Sequence, residues 1–345
     1  MTVRGKPNLQ SRMSKTSYLV LSILVVSIAV FLNYPAPELS HRVKAWKESG
    51  KVFKFKGHNI FYKDEGTNDN DDVLVIFHGF PTCGYDFHKI WPELTKNFGR
   101  VILPDFLGYG LSDKPTDHVY SLFDKADMIQ ALLKELGVSQ VHVLTHDMGS
   151  TVAQELIHRQ NQRAKSGAKS DSELHIISVC LSNGGIIPET IQQRTMQKVL
   201  LLPYIGALAP KFSNRFLFKR SLSEVFGKKT QPTEEEFMDH WALMRYNDGH
   251  RVTHLLINYL RQRYANRDRW VHALSETAIP LHIIFGPADP VNPYDPFYLT
   301  YTKLVPNSGV SLLDSHISHY PHLEVPEIYV AEYFKFFRSV QGGTK

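Results

Sequence analysis

The chain has 345 residues, 43% of them hydrophobic and 21% charged, with a formal net charge of +5. That length exceeds one small domain and suits a large sheet carrying an inserted subdomain, while a mildly basic balance without concentrated Lys/Arg runs excludes nucleic acid as a partner. Cys83 and Cys180, far apart in the chain, exclude a disulfide scaffold and read as ordinary buried thiols.

From the N-terminus, Arg4, Lys6, Arg12 and Lys15 precede an almost uninterrupted apolar run from Tyr18 to Tyr34. A stretch of roughly 17 residues lies at the low edge of the spanning range and suits a thin bilayer. The spacing predicts a basic tail over 1–17 and a transmembrane anchor over 18–34. Asn33-Tyr34-Pro35-Ala36-Pro37 offers no small-residue cleavage site, so an uncleaved anchor is favoured over a removed signal peptide. The four basic residues before the run outnumber Arg42, Lys44 and Lys47 after it, which places the remainder of the chain on the luminal side.

After Pro35 and Pro37, Val52–Phe55 and His58–Tyr62 read as an opening hairpin. Strand and helix patterns then alternate. A strand over 73–77 is followed by a helix over 85–96, a strand over 100–103, a helix over 122–136, a strand over 141–145 and a further helix. Gln160 to Ser172, rich in Lys, Gly and Ser, reads as a surface loop. A strand follows at 176–181. From Gly184 to Ala278 helical signals dominate, and the alternation resumes with a strand at 281–285, a helix at 294–304, a strand at 310–313 and a final helix over 326–340. Such alternation means an α/β fold built on a mostly parallel central sheet flanked by helices. The expected layout is a core over 45–183, a helical cap over 184–278 and the rest of the core over 279–341.

Three residues at strand ends carry the chemistry. Asp147, in Thr145-His146-Asp147-Met148-Gly149, stands at a strand-to-helix turn of the kind that lifts a nucleophile above a sheet. A carboxylate there can attack an electrophilic carbon and leave an ester for water to open; the bland alternative is a helix N-cap. Asp289, after Gly286-Pro287-Ala288, is the candidate acid, and His319, in Ser318-His319-Tyr320-Pro321, the candidate base. His78-Gly79-Phe80-Pro81 places the N–H of Phe80 where, with that of Met148, it would form an oxyanion hole. Asp105, in a turn with Gly108 and Gly110, reads as structural. Ser150 lies inside a helix, and Glu324 and the basic cap residues Lys211, Arg215, Lys219 and Arg220 read as a solvated face. No metal or cofactor is expected, since no ligand spacing appears on a common helix.

The order nucleophile, acid, histidine and the small-His-Asp-x-Gly turn resemble the epoxide hydrolase and haloalkane dehalogenase branch of the α/β-hydrolase superfamily. From about residue 45 to 337, Asp105-Phe106-Leu107-Gly108-Tyr109-Gly110, Leu181-Ser182-Asn183-Gly184-Gly185, Asn247-Asp248-Gly249, Gly286-Pro287-Ala288-Asp289-Pro290-Val291-Asn292-Pro293 and Asp314-Ser315-His316-Ile317-Ser318-His319 resemble the mesoderm-specific transcript family. That resemblance implies a hydrolase of the endoplasmic reticulum membrane. Dehalogenases of this branch follow the nucleophile with a halide-binding Trp, where this chain has Met148. Epoxide hydrolases use two cap tyrosines as proton donors, for which Tyr204, Tyr246, Tyr259 and Tyr264 are candidates; in Ile257-Asn258-Tyr259-Leu260-Arg261 the tyrosine is displaced by one position. The expected function is covalent hydrolysis of an apolar substrate, an epoxide or a lipid-derived ester. Lipid acyl transfer at the same site and a non-catalytic membrane binding protein are the alternatives.

Overall fold

The computed structural model describes residues 14–32, 34–67, 70–167 and 173–342. Arg4, Lys6 and Arg12 of the expected basic tail lie outside them, as do residues 168–172 of the expected loop. Two units are distinct, one ending at Ala36 and one running from Pro37 onward.

In the first unit, Lys15–Leu32 is an 18-residue helix. Lys15, Thr16 and Ser17, expected in the tail, form its first turn. Leu19, Val20, Ile23, Leu24 and Val30 are all exposed on it. At 1.5 Å per residue the helix is about 27 Å long. No helix among the described residues is long and apolar enough to cross a membrane, so the expected span over 18–34 is not established by the fold.

Among its described residues the second unit is organised by eight strands: β1 (Lys51–Phe55), β2 (His58–Glu65), β3 (Val73–Phe77), β4 (Arg100–Pro104), β5 (Gln140–Thr145), β6 (His175–Ser182), β7 (Leu281–Phe285) and β8 (Gly309–Leu312). They form one sheet in the order β1-β2-β4-β3-β5-β6-β7-β8. The opening hairpin and the β2–β4 pair are antiparallel, and every later pair is parallel. Val-Leu-Val-Ile-Phe of β3 is apolar throughout because helices cover both faces of a parallel sheet, and four of its five residues are buried. Phe77 lies opposite Thr145 across the β3–β5 pair, which brings the ends of these strands side by side. Ligands of such sheets bind beyond the carboxyl ends of the strands.

The helix Met148–Ser166 runs through the first half of the segment expected to be a loop. Gln160, Gln162, Arg163, Ala164 and Lys165 are good helix formers, and Asn161 is buried against the core. Gly167, at φ 67°, ends the helix in the left-handed conformation that glycine adopts without strain.

Between Gly184 and Ala278 the regular elements are all helices. The last of these helices, Arg267–Ser275, packs against Met148–Ser166, and the Trp270 indole N–H donates to Glu155 Oε2 at 2.9 Å. It therefore behaves as part of the core. The rest closes over the strand ends through a second apolar cluster in which Phe218, Phe226 and Trp241 meet Tyr320 and Leu323. Cys83 and Cys180 are buried free thiols.

Candidate active site

Asp147 follows β5 with φ 45° and ψ −111°, a conformation that a residue with a Cβ adopts only under strain. Neighbouring glycines make room for it. A Cβ on Gly184 would lie 2.5 Å from the Asp147 Cα, and one on Gly79 would lie 2.8 Å from its Cβ. The Asp147 side chain makes no cap hydrogen bond to its own helix, so the N-cap reading is not met. Instead Oδ2 accepts from the Phe80 N–H at 3.0 Å, placing the carboxylate at one of the two expected oxyanion donors. Met148, the other, is the first residue of its helix, where an N–H has no acceptor within the helix.

Arg263 is the nearest cation. Its Nη2 donates to the Asp147 main-chain oxygen at 3.0 Å and lies 3.5 Å from Oδ1, and its Nε donates to Thr151 Oγ1 at 2.8 Å. Burial alone would push the Asp147 carboxyl up, but Arg263, then His319 and His146, outweigh it and hold the value below the usual 3.8. Asp147 is thus an anion although only 2% exposed.

Asp289 and His319 meet as a pair. His319 Nδ1 donates to Asp289 Oδ2 at 2.8 Å, which leaves Nε2 as the basic atom. Asp289 Oδ2 also accepts from Asn183 Nδ2 at 3.0 Å, and Oδ1 from the Val291 N–H at 2.7 Å. Burial disfavours a charged His319, yet the attraction and hydrogen bond of Asp289, followed by Asp147, raise its value above 6.5. Asn183 links the two halves of the site, because its carbonyl accepts from the Asp147 N–H at 2.9 Å while its amide braces Asp289 and Gly286.

Glu324 does not belong to a solvated face. It accepts from the main-chain N–H groups of Ser318, Tyr320 and Gly227, and from Thr230 Oγ1. These bonds fix the loop on both sides of His319. Asp105 is structural as expected, accepting from the N–H groups of Gly84 and Leu111 at 2.7 Å each. Ser150 is buried within its helix, and its hydroxyl is shared with Thr145.

Asp147, His319 and Tyr320 line a cavity of about 290 Å³ whose other walls are largely apolar and include Phe80, Leu200, Phe218 and Val291. The four candidate tyrosines are not assembled there. Tyr204 is 90% exposed and Tyr264 50% exposed, and Tyr246 lies against Lys47 and Lys114. Tyr259 is buried close to Asp147, but its ring is covered by the Arg263 guanidinium at 4.6 Å. Helical spacing does not reveal which face of each cap helix points inward, so these expectations failed on orientation. Tyr320 is the tyrosine that the cavity contains, and burial holds its phenol well above the usual value and hence protonated.

Among the described residues, one group of side chains could ligate a cation. Asp86, His146 and His322 are buried, with one ligand-capable atom of each within 4.8 Å of the others. His146 Nε2 is already paired with the His319 carbonyl at 2.8 Å, and the His322 ring stacks on Phe87 at 4.5 Å. Burial lowers His146 to about 3 and takes His322 well below its ordinary range, so both rings are neutral packing elements beside His319.

Residues 72–327 match the family model described as alpha/beta hydrolase fold. The mesoderm-specific transcript protein of Mus musculus is 47% identical over 323 residues, covering 92% of this chain and 94% of the mouse protein. The chain belongs to the mesoderm-specific transcript family of α/β hydrolases. LipZ of Mycobacterium tuberculosis is 33% identical over 292 residues, 84% of this chain and 96% of that protein. Among solved structures, the haloalkane dehalogenase DbeA from Bradyrhizobium elkani superposes with a TM-score of 0.70 at 22% identity, over 86% of this chain and 99% of that one. This last likeness is one of fold. Within the family frame, Arg263 had no distinguishing sequence signal, being an arginine in the helical run Arg261-Gln262-Arg263, whereas Asn183 stood in the family-like segment Leu181-Ser182-Asn183-Gly184-Gly185 without a role assigned to it.

Proposed function

We propose that this α/β hydrolase forms and hydrolyses a covalent ester on Asp147, acting on an apolar substrate with an electrophilic carbon–oxygen bond, such as an epoxide or a lipid-derived ester. The carrying observation is a buried, ionised carboxylate and an Asp289-held imidazole lining one largely apolar cavity. In the first step an Asp147 oxygen bonds to the substrate carbon while the carbon–oxygen bond breaks. The departing oxygen takes its proton from Tyr320. Water then adds to the Asp147 ester carbonyl as His319 Nε2 removes one of its protons, and the resulting oxyanion is held by the N–H groups of Phe80 and Met148. Collapse releases the alcohol, which takes the proton from His319. The second water proton is released as Asp147 ionises again and restores Tyr320.

Asp289 supports this role by fixing the tautomer and orientation of His319. The side chain at position 148 is a thioether, whose Sδ accepts from the Tyr109 hydroxyl at 3.2 Å, and this favours oxygen over halide as the leaving atom. The helix Lys15–Leu32 is proposed to attach the enzyme to the endoplasmic reticulum membrane. Its exposed Leu19, Val20, Ile23, Leu24 and Val30 favour a lipid surface over water.

The test is a trapping experiment across epoxides and long-chain esters. His319→Gln is expected to accumulate an adduct on the tryptic peptide containing Asp147, and Asp147→Asn to form none. In single turnover in heavy-oxygen water, the native enzyme should place the label in Asp147 and not in the product. Label in the product alone, or native rates in both variants, would exclude the covalent route.

A further inference from the structure

Within the cap, residues 194–220 form a compact arm of the short helices Thr195–Leu201, Ile205–Leu208 and Arg215–Ser223, joined through the tight turn Ala209–Phe212. The first two helices pack on one another, and both pack on that turn. A surface helix ordinarily turns its apolar side chains inward. Here Leu202, Tyr204, Ile205, Leu208 and Phe216 face outward, and the arm holds more than half of the exposed large apolar side chains described from Pro37 onward. Phe216 is 68% exposed. A concentration of this kind marks a surface meant to be covered.

Charge identifies the cover. The arm contains Arg194, Lys198, Lys211, Arg215, Lys219 and Arg220, and neither Asp nor Glu. Among the described residues only Arg194 and Lys219 of these make ion pairs, with Glu224 and Glu234. The cores of protein–protein interfaces are poor in lysine. Aromatic and aliphatic side chains interleaved with unpaired cations are what an interfacial helix presents to anionic headgroups, with the apolar atoms buried at the acyl boundary and the cations among phosphates.

The inner side of the same arm is the wall of the active site. Met196, Leu200, Leu217 and Phe218 line the cavity that contains Asp147 and His319. They also line an adjoining cavity of about 280 Å³, bounded in addition by Val199, Ala209 and Pro210. One short segment therefore separates a membrane-like surface from two chambers that share its apolar side chains, the one at Asp147 also lined by Arg194, Arg220 and Glu224.

We propose that residues 194–220 dock on an anionic lipid bilayer and admit a long-chain substrate from it directly to Asp147. The docking surface stands by itself, and the entry route rests on the hydrolase reading above. Docking places the substrate's apolar chain next to the arm without exposing it to water, so the membrane sets the local substrate concentration. It also explains exposed apolar residues that contribute nothing to packing of the cap.

The experiment uses the full chain in lipid nanodiscs, of phosphatidylcholine alone or with phosphatidylserine. Because Cys83 and Cys180 are buried, a thiol introduced by Phe216→Cys or Tyr204→Cys can be labelled selectively with an environment-sensitive dye. In anionic nanodiscs both labels should shift to the blue and be quenched by spin-labelled acyl chains, while a label at Lys134→Cys, on the exposed side of Leu122–Glu135, stays solvated. The triple change Lys198→Gln, Lys211→Gln and Arg215→Gln should lower the docked-to-undocked ratio about a hundredfold, at about fivefold per cation. Phe216→Ser should slow turnover of a bilayer-borne long-chain epoxide and leave that of a short water-soluble one unchanged. A Phe216 label as solvated as the Lys134 label in anionic nanodiscs overturns the proposal, as does quenching that is independent of anionic lipid and tracks protein self-association. Docking with equal effects on both substrates overturns the entry route alone. Docking with no Asp147-dependent turnover of any substrate refutes the hydrolase reading and leaves the surface in place.

Discussion

Arg263 Nη2 lies 3.0 Å from the main-chain oxygen of Asp147 and 3.5 Å from its Oδ1, with both side chains buried. The guanidinium holds the strained turn and the charge of the carboxylate at once. Arg263→Met removes both while preserving bulk. Breaking a buried pair by removing one partner costs about 3–5 kcal/mol, so a large fall in the thermal midpoint is expected. The Asp147 carboxyl should also titrate at higher pH, seen as an acid limb of the alkylation rate that moves toward neutrality. Arg263→Lys should not restore the rate, because an ammonium cannot reach Thr151 Oγ1 and the Asp147 carbonyl in the geometry of the planar fork.

In the proposed reaction, Glu324 acts through the loop that carries His319. Glu324→Ala strips acceptors from the N–H groups of Ser318, Tyr320 and Gly227. Turnover should drop by about ten- to a hundredfold through misplacement of the base, with KM for the substrate little changed. Glu324→Gln, which keeps one acceptor oxygen, should recover part of it. Steady-state kinetics on both variants, with equal thermal midpoints as the folding control, would check this.

His319 should titrate above 6.5, because Asp289 and then Asp147 outweigh its burial. A raised histidine value stabilises the fold fully below the unfolded value of about 6.5 and loses that contribution as pH rises through the folded value. Asp289→Asn should lower the titration midpoint more than Asp147→Asn does, followed by carbon-labelled histidine NMR. Ester hydrolysis needs the neutral ring and should accelerate with pH through the His319 value in the intermediate. Esterification removes the Asp147 charge, so that value lies below the one measured in the free enzyme.

Gly184→Ala puts a Cβ 2.5 Å from the Asp147 Cα and 2.8 Å from its carbonyl oxygen. Both are main-chain atoms and cannot swing aside. The nucleophile must move, and turnover should fall by at least about a hundredfold in protein that still folds, as read by circular dichroism and single-turnover rates.

The sequence by itself determined the mostly parallel sheet, the chain order of Asp147, Asp289 and His319, and the helical character of the segment after the sixth strand. Strand and helix periodicity and the turn residues at strand ends are local properties, legible in a few consecutive side chains. The helical segment 160–166 was missed because Lys, Gln and Ser are common to exposed helices and to loops. The tertiary structure decided which distant groups converge on those three residues. It placed Arg263 and Asn183 against Asp147, drew Glu324 in from the surface to brace the loop of His319, and put Tyr320 rather than the cap tyrosines at the cavity. Those facts depend on how a helix face is rotated and on which partner a buried polar group finds across more than a hundred residues of chain. Neither leaves a local pattern, since burial and charge pairing are satisfied only when the elements pack.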